Sequence, residues 1–190
     1  MAGKSEQVAV YELRVKLLDV APEVWRRVLV PRDITLENLH LVVQRAMGWD
    51  NEHLHEFQIG RKRYSRPNPN HLGLGEPPVN ESIVRLNGVA KPNAKFRYQY
   101  DFGDEWIHEV AIEREIQSES NERKAICTEG ENSCPPEDCG GAYGYANMLE
   151  ILRDTQHEEY SHMREWLGEE FDPRNFDMQL ANHGLAALKV

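Results

Sequence analysis

The sequence predicts an α+β fold. One domain over residues 1–190 carries a mainly antiparallel sheet of about five or six strands covered by helices, and its C-terminal part is helical. Three observations predict this. Several short stretches alternate apolar and polar residues, one stretch repeats its apolar residues at helical spacing, and the pattern from Tyr143 onward turns helical. A chain of 190 residues is also long enough to bury one sizeable core.

In chain order, Tyr11, Leu13, Val15 and Leu17 alternate with Glu12, Arg14 and Lys16, which gives a first strand with one wet face. Ala21-Pro22 breaks it. Val24 to Val30 reads as a second strand, ended by Pro31 because proline has no N–H to give to a ladder. Arg26 and Arg27 point to opposite faces of that strand, so one of them is expected to enter a polar or acidic neighbourhood, where a carboxylate partner is to be sought. Thr35 suits an N-cap, Glu37 lies where the helix dipole favours an acid, and Leu36, Leu39, Val43, Ala46 and Met47 form the apolar stripe of a helix that Gly48 ends. A strand comes next in which His53, His55, Phe57 and Ile59 share a face, and Gly60 with the basic residues turns the chain into Tyr64. Residues 65–80 are rich in Pro, Gly and Asn and read as a surface loop. Residues 81–95 hold short turns at Ile83-Val84 and Asn87-Gly88.

Phe96, Tyr98 and Tyr100 alternate with polar residues, and the alternation resumes with Trp106, His108, Val110 and Ile112. That is a β-hairpin, with Gly103 between acidic residues supplying the backbone angles of the turn. Residues 117–124 read as a polar connector. Cys127 to Gly141 reads as irregular, since Pro135-Pro136 excludes helix and Gly140-Gly141 allows a tight bend. Tyr145, Met148, Leu149 and Leu152 then mark a helix, Tyr160 to Leu167 a second, and Asp177 caps a third reaching Leu188.

Composition excludes several classes. With 40% apolar and 28% charged residues the chain resembles an ordinary soluble protein. No apolar run approaches the roughly 20 residues that span a bilayer. The N-terminus lacks the apolar core of a signal peptide, so the expected location is the cytoplasm, with no membrane partner. Three cysteines in such a chain argue against a disulfide framework. The net charge is −10, and residues 67–190 carry it, with 23 Asp and Glu against 11 Lys and Arg. Such a chain has no general attraction to phosphate backbones, which disfavours autonomous nucleic-acid binding. The one basic cluster, Arg61, Lys62, Arg63 and Arg66, reads as a solvated hairpin tip.

The candidate chemistry is polar. Asp101, Asp104 and His108 belong to the hairpin, and carboxylates beside an imidazole either bind a divalent metal or move protons; the same residue types also serve as turn caps and satisfied core groups. His53-x-His55 on one strand offers two imidazoles to one metal. The expectation is that His53, His55, Asp101, Asp104, His108, Glu137 and Asp138 converge in one pocket. There His53, His55, Asp104 and His108 would hold a divalent metal such as zinc, or the pocket would hold another ligand, with Glu137 as proton acceptor. Asp101, Asp104, His108, Glu137 and Asp138 are the candidate catalytic groups, while Arg26, Arg27 and Trp106 are structural or ligand-positioning. Cys127, Cys134 and Cys139 form an alternative thiolate site, although their spacing matches no standard zinc pattern and buried packing cysteines are the favoured reading. A rival reading is a non-enzymatic interaction module with a protein partner, in which Arg26 or Arg27 pairs with Asp101 or Asp104. A third is an accessory protein that touches DNA through Arg61 to Arg66.

Taken together, several motifs resemble the plasmid pRiA4b ORF-3-like family, whose members are also labelled TnpR-type passenger proteins of insertion elements. They are Pro22-x-Val-Trp-Arg-Arg27 with Val30-Pro31, the Thr35 to Trp49 helix, His53-Leu-His55-x-Phe57, Tyr100-Asp-Phe-Gly-Asp104-x-Trp106-x-His108, Cys134-Pro-Pro-Glu-Asp138-x-Gly-Gly141, Gly144-Tyr145, and Phe171-Asp-Pro173 ahead of Phe176. The resemblance covers nearly the whole chain and implies a compact α+β domain near mobile elements or alone, with no assigned activity. Recombinase catalysis is rejected, because the first strand carries no nucleophilic serine.

Overall fold

A computed structural model of the chain describes residues 8–67, 76–118, 122–168 and 170–190. Its centre is one eight-stranded sheet in the order β5-β4-β3-β6-β7-β1-β2-β8. The strands are β1 Ala9–Leu17, β2 Trp25–Pro31, β3 His55–Ile59, β4 Lys62–Ser65, β5 Val79–Asn80, β6 Lys95–Tyr100, β7 Trp106–Gln117 and β8 Ile126–Glu131. The helices are α1 Leu36–Met47, the single turn α2 Leu86–Val89, α3 Gly141–Arg153, α4 Tyr160–Leu167 and α5 Met178–Ala186. Every strand pairing is antiparallel except β4 with β5. Among the described residues no helix is long and apolar enough to cross a membrane.

The α+β class holds, but the sheet has eight strands, not five or six. The additional strands lie toward the two edges, where apolar alternation is weakest. The segment β8 reads ICTEGE and meets solvent on much of its length, so its pairing with β2 leaves little hydrophobic signature. Likewise Lys62 and Arg63 lie in β4 rather than in a turn, and β5 is only two residues long. Part of the expected loop at 65–80 and of the connector at 117–124 lies outside the described residues. Pro31 is the last residue of β2, opposite Val10, and Asn87-Gly88 belongs to α2.

One face of the sheet is the core. The register sets Tyr64, Phe57, Tyr98, His108 and Leu17 in a row across five strands, with His55, Tyr100 and Trp106 in the next. Such cross-strand aromatic pairs each add a fraction of a kcal/mol to about 1 kcal/mol. The helix α1 covers this face with buried Leu36, Leu39, Val43, Ala46 and Met47. Thr35 caps it by accepting from the Asn38 N–H at 3.2 Å, and Gly48 ends it at φ 97°. The opposite face is wet and laced with ion pairs: Arg114 with Glu12, Lys95 with Glu109, and Arg27 with both Glu113 and Glu129.

Arg27 is therefore the arginine that finds carboxylates. Arg26 is buried and finds none. Its guanidinium donates to the carbonyls of Ala46 (2.9 Å), Trp25 (2.8 Å) and Glu131 (2.9 Å) and lies 3.7 Å over the Phe176 ring. Neither arginine pairs with Asp101 or Asp104, so that element of the interaction-module reading is corrected. The sequence patterns Val-Trp-Arg-Arg and Asn-Phe-Asp thus describe one clamp joining β2, α1, β8 and the loop before α5.

The hairpin between β6 and β7 turns differently from expectation. Asp101 and Glu105, not Gly103, adopt positive φ at 56° each, and the Glu105 N–H donates to the Asp101 carbonyl at 2.8 Å. An aspartate tolerates this region because its side chain bonds locally, and here Asp101 Oδ1 accepts from the Gly103 N–H at 2.8 Å. The hairpin tip rests on the loop before α3. A Cβ on Gly141 would lie 2.6 Å from the Asp104 carbonyl oxygen, and one on Gly144 would overlap the Cys139 carbonyl oxygen.

Polar groups also enter the core. Gln44 Nε2 donates to the Tyr98 hydroxyl (2.9 Å), which donates to His40 Nδ1 (2.8 Å), so His40 Nε2 carries the proton that reaches Asn51 Oδ1 (2.7 Å). Burial, then the neighbouring His55, pulls the His40 pKa down to about 3, and burial pulls that of His108 down to about 4.

Packing and burial generate two testable outcomes. Helix propensity alone would favour Gly144→Ala in the first turn of α3, yet the clash with Cys139 reverses the sign; a loss of about 2 kcal/mol or more is expected, whereas Gly88→Ala, in open space, is near neutral. Urea midpoints measure both. Second, His40 and His108 stay neutral when folded but protonate near pH 6.5 when unfolded, so the stability they lend is present above that pH and is lost as pH falls toward 4. For His108 this is about 2 kcal/mol between pH 7 and pH 5. Wild-type stability should fall over that interval, and the fall should be shallower in His108→Phe; identical slopes would refute the account.

Candidate functional site

The strand β3 begins at His55, and His53 lies in the bend before it, so the two histidines leave the chain in different settings. Asn51, at φ 64°, turns the chain there, and Tyr100 holds the next two residues in place. The Tyr100 hydroxyl accepts from the backbone N–H of Glu52 (3.0 Å) and of His53 (3.3 Å) and donates to Glu137 Oε1. Burial, reinforced by the Glu137 carboxylate, raises the pKa of that hydroxyl well above the ordinary tyrosine value, which keeps its proton in place. One buried phenol thereby ties the His53 bend, strand β6 and the Pro135-Pro136-Glu137 loop together.

His53 stands edge-on to the Tyr100 ring, with centroids 5.7 Å apart, and lies between two carboxylates. Its Nδ1 is 3.6 Å from Asp101 Oδ2, and its Nε2 is 3.4 Å from Asp138 Oδ1. A ligating atom from each of His53, Asp101 and Asp138 lies within 4.8 Å of the others, and this is the one such group among the described residues. His53 Nε2 is a buried atom without a hydrogen bond, since its approach to Asp138 is close but poorly aligned. Asp101 is buried with Oδ1 occupied by Gly103, so Oδ2 is the oxygen facing His53, whereas Asp138 is exposed and held at φ 57°.

The other expected members lie elsewhere. His55 Nε2 is bonded to both oxygens of Glu81, at 3.0 and 2.8 Å, and the carboxylate is buried in the 3-10 turn Glu81–Ile83. The His55 ring stacks on His40 with centroids 3.4 Å apart. His108 is fully buried, its Nδ1 3.3 Å from the Tyr98 carbonyl and its ring edge-on to Trp49. Asp104 Oδ2 accepts from the Gly140 N–H at 3.1 Å and so fastens the hairpin tip to the loop. Glu137 is divided between Tyr100 and the Asp50 N–H. Trp106 is buried against Trp49, whose own indole N–H donates to the Pro135 carbonyl at 3.0 Å. A single seven-residue pocket is therefore replaced by a three-residue cluster, with Tyr100 and Glu137 beside it.

The cysteines do not join any ligand group among the described residues. Burial raises all three thiols, that of Cys139 to about 12, and so opposes the thiolate form a metal needs. Cys127 Sγ instead lies 3.4 Å from the Glu129 carbonyl oxygen.

Sequence reasoning missed His40, Gln44, Glu81 and Tyr100. For two of these a signal existed: His40 and Gln44 interrupt the apolar stripe of α1 at a spacing that buries them, and a buried polar pair on a helix demands partners. Glu81 gave no signal, because its partner His55 comes from a different part of the chain.

The neighbouring cavity has a volume of about 530 Å³ and is bordered by His53, Leu54, His55, Arg66, Pro77 and Phe102, among others.

Comparison with known proteins agrees with this architecture. MM3350, a protein of unknown function from Methanosarcina mazei Go1, is 35% identical, and its crystal structure superposes with a TM-score of 0.83 over 92% of this chain and 98% of its own. Uncharacterized protein y4hQ of Sinorhizobium fredii is 41% identical over 162 residues, 84% of this chain and 81% of that protein. The family model described as Plasmid pRiA4b ORF-3-like protein matches residues 9–180, and the chain belongs to that family.

Proposed function

We propose that the chain binds a divalent cation through His53, Asp101 and Asp138. The observation that carries the reading is the convergence of one imidazole and two carboxylates from three separate segments, with the buried His53 Nε2 lacking any hydrogen bond. Mixed nitrogen and carboxylate donors suit zinc or manganese, and three protein ligands leave further positions open to water or a ligand. Tyr100 and Glu137 support the site by holding the His53 bend, and the Glu137 carboxylate is a group able to receive a proton from a bound water. The passenger role in mobile elements belongs to this proposal only as the setting in which such a protein would act.

Saturating zinc or manganese should raise the melting temperature. At a free concentration about a hundred times Kd the gain is about 2.7 kcal/mol, or about 5 to 10 °C for a chain of this size. Asp138→Asn, at an exposed position, should abolish the shift while leaving the metal-free melting temperature nearly unchanged. Asp104→Ala should lower the melting temperature and keep the shift. A melting temperature unmoved by either metal, together with metal-free protein on elemental analysis, rejects the proposal.

A further inference from the structure

We infer that the cavity beside His53 receives a small organic phosphate, its phosphate bridging the cation and Arg66 and its apolar body lying on Leu54 and Phe102. This rests on the cation site proposed above and names the chemical class that would occupy it. Four observations lead there. At about 530 Å³ the cavity falls within the usual range for small-molecule sites. His53, which supplies a cation ligand, is itself part of its wall.

Leu54 and Phe102 border the same cavity and are 62% and 49% exposed, although both are large and apolar. Each is the chain neighbour of a proposed ligand, Leu54 of His53 and Phe102 of Asp101, and the Asp101 N–H donates to the Leu54 carbonyl at 2.9 Å. The two chain segments that carry His53 and Asp101 thus also carry an apolar surface into the cavity wall, with Pro67, Pro77 and Pro78 around it. Exposed apolar groups gathered at a cavity are the usual mark of a surface meant to be covered.

The cationic lining distinguishes its two arginines. Arg63 is occupied, donating to Glu56 Oε2 at 3.4 Å and to the Glu76 carbonyl at 2.8 Å. Arg66 has no ion-pair partner among the described residues, and a guanidinium fork fits phosphate oxygens two at a time. A divalent cation is neutralised by Asp101 and Asp138, so it binds a dianion through open coordination positions without the repulsion of a surplus negative charge. A phosphate monoester has enough oxygens to reach cation and guanidinium together, whereas a carboxylate has two. Glu52 also borders the cavity, and its charge opposes an anion that arrives without the metal.

Phenyl phosphate tests the idea by isothermal titration with the full chain. Binding to manganese-loaded protein is expected, weakened about tenfold or more by removal of the metal and by Arg66→Gln, which should leave manganese affinity unchanged. Inorganic phosphate should bind about tenfold more weakly than phenyl phosphate, and Phe102→Ser should remove that difference. If manganese binds but phenyl phosphate does not, this inference is overturned and the cation site stands. Benzoate binding as tightly as phenyl phosphate overturns the phosphate class. Absence of both manganese and zinc binding overturns both readings together.

Discussion

The Tyr98 hydroxyl sits where the first long helix meets the centre of the sheet, and the placement of both depends on the bonds it makes. It accepts from Gln44 and donates to His40, two residues one turn apart on α1, so the helix can neither slide nor rotate without stranding a buried phenol. The same ring occupies the middle of the aromatic row that crosses β4, β3, β6, β7 and β1. From His40 the chain of bonds continues to Asn51, and Asn51 begins the bend that presents His53. Core packing and site geometry therefore share one line of hydrogen bonds.

A second constraint operates at the other side of the site. The hairpin tip and the Cys134 to Gly141 segment approach so closely that only glycine fits at 141, and the Asp104 carboxylate closes the contact on the Gly140 amide. Asp138 can stand beside His53 because its loop is held this near. The cysteines fit the same account as small apolar packing groups, with Cys134 and Cys139 lying against the core. Motifs that look like chemistry in the sequence, Asp-Phe-Gly-Asp and Cys-Pro-Pro-Glu-Asp-Cys-Gly-Gly, are in large part the two halves of a mechanical joint.

Where a residue's role came from its neighbours in the chain, the sequence was legible. Thr35, Gly48 and Asp177 cap or end helices as expected, and the alternation in β1, β6 and β7 predicted their faces correctly. Where the role depended on a distant partner, it was not. Arg26 looked like half of an ion pair, but backbone carbonyls and Phe176 surround it, and no local pattern distinguishes a carbonyl cage from a carboxylate. His55 looked equivalent to His53 because period-two reasoning put them on one strand; the strand starts two residues later, and the equivalence fails with it. Strand β8 was hidden for the opposite reason, since an edge strand with a polar sequence can pair through its backbone alone.

The fate of His55 shows why the metal reading narrows to His53. Glu81 is almost wholly buried, and an ionised carboxylate there needs a partner that restores neutrality. His55 is that partner, bonded to both oxygens, and the stacked ring of His40, held neutral by burial, cannot take over the role. Recruiting His55 to a cation would leave Glu81 unpaired in the core, at a cost of several kcal/mol that ordinary metal coordination would have to offset. His53 carries no such obligation: its flanking acids are themselves metal-ligand groups, and one of them is open to solvent. Two histidines two residues apart are thus separated by the charge that each must balance, one committed to the interior and the other left for the surface.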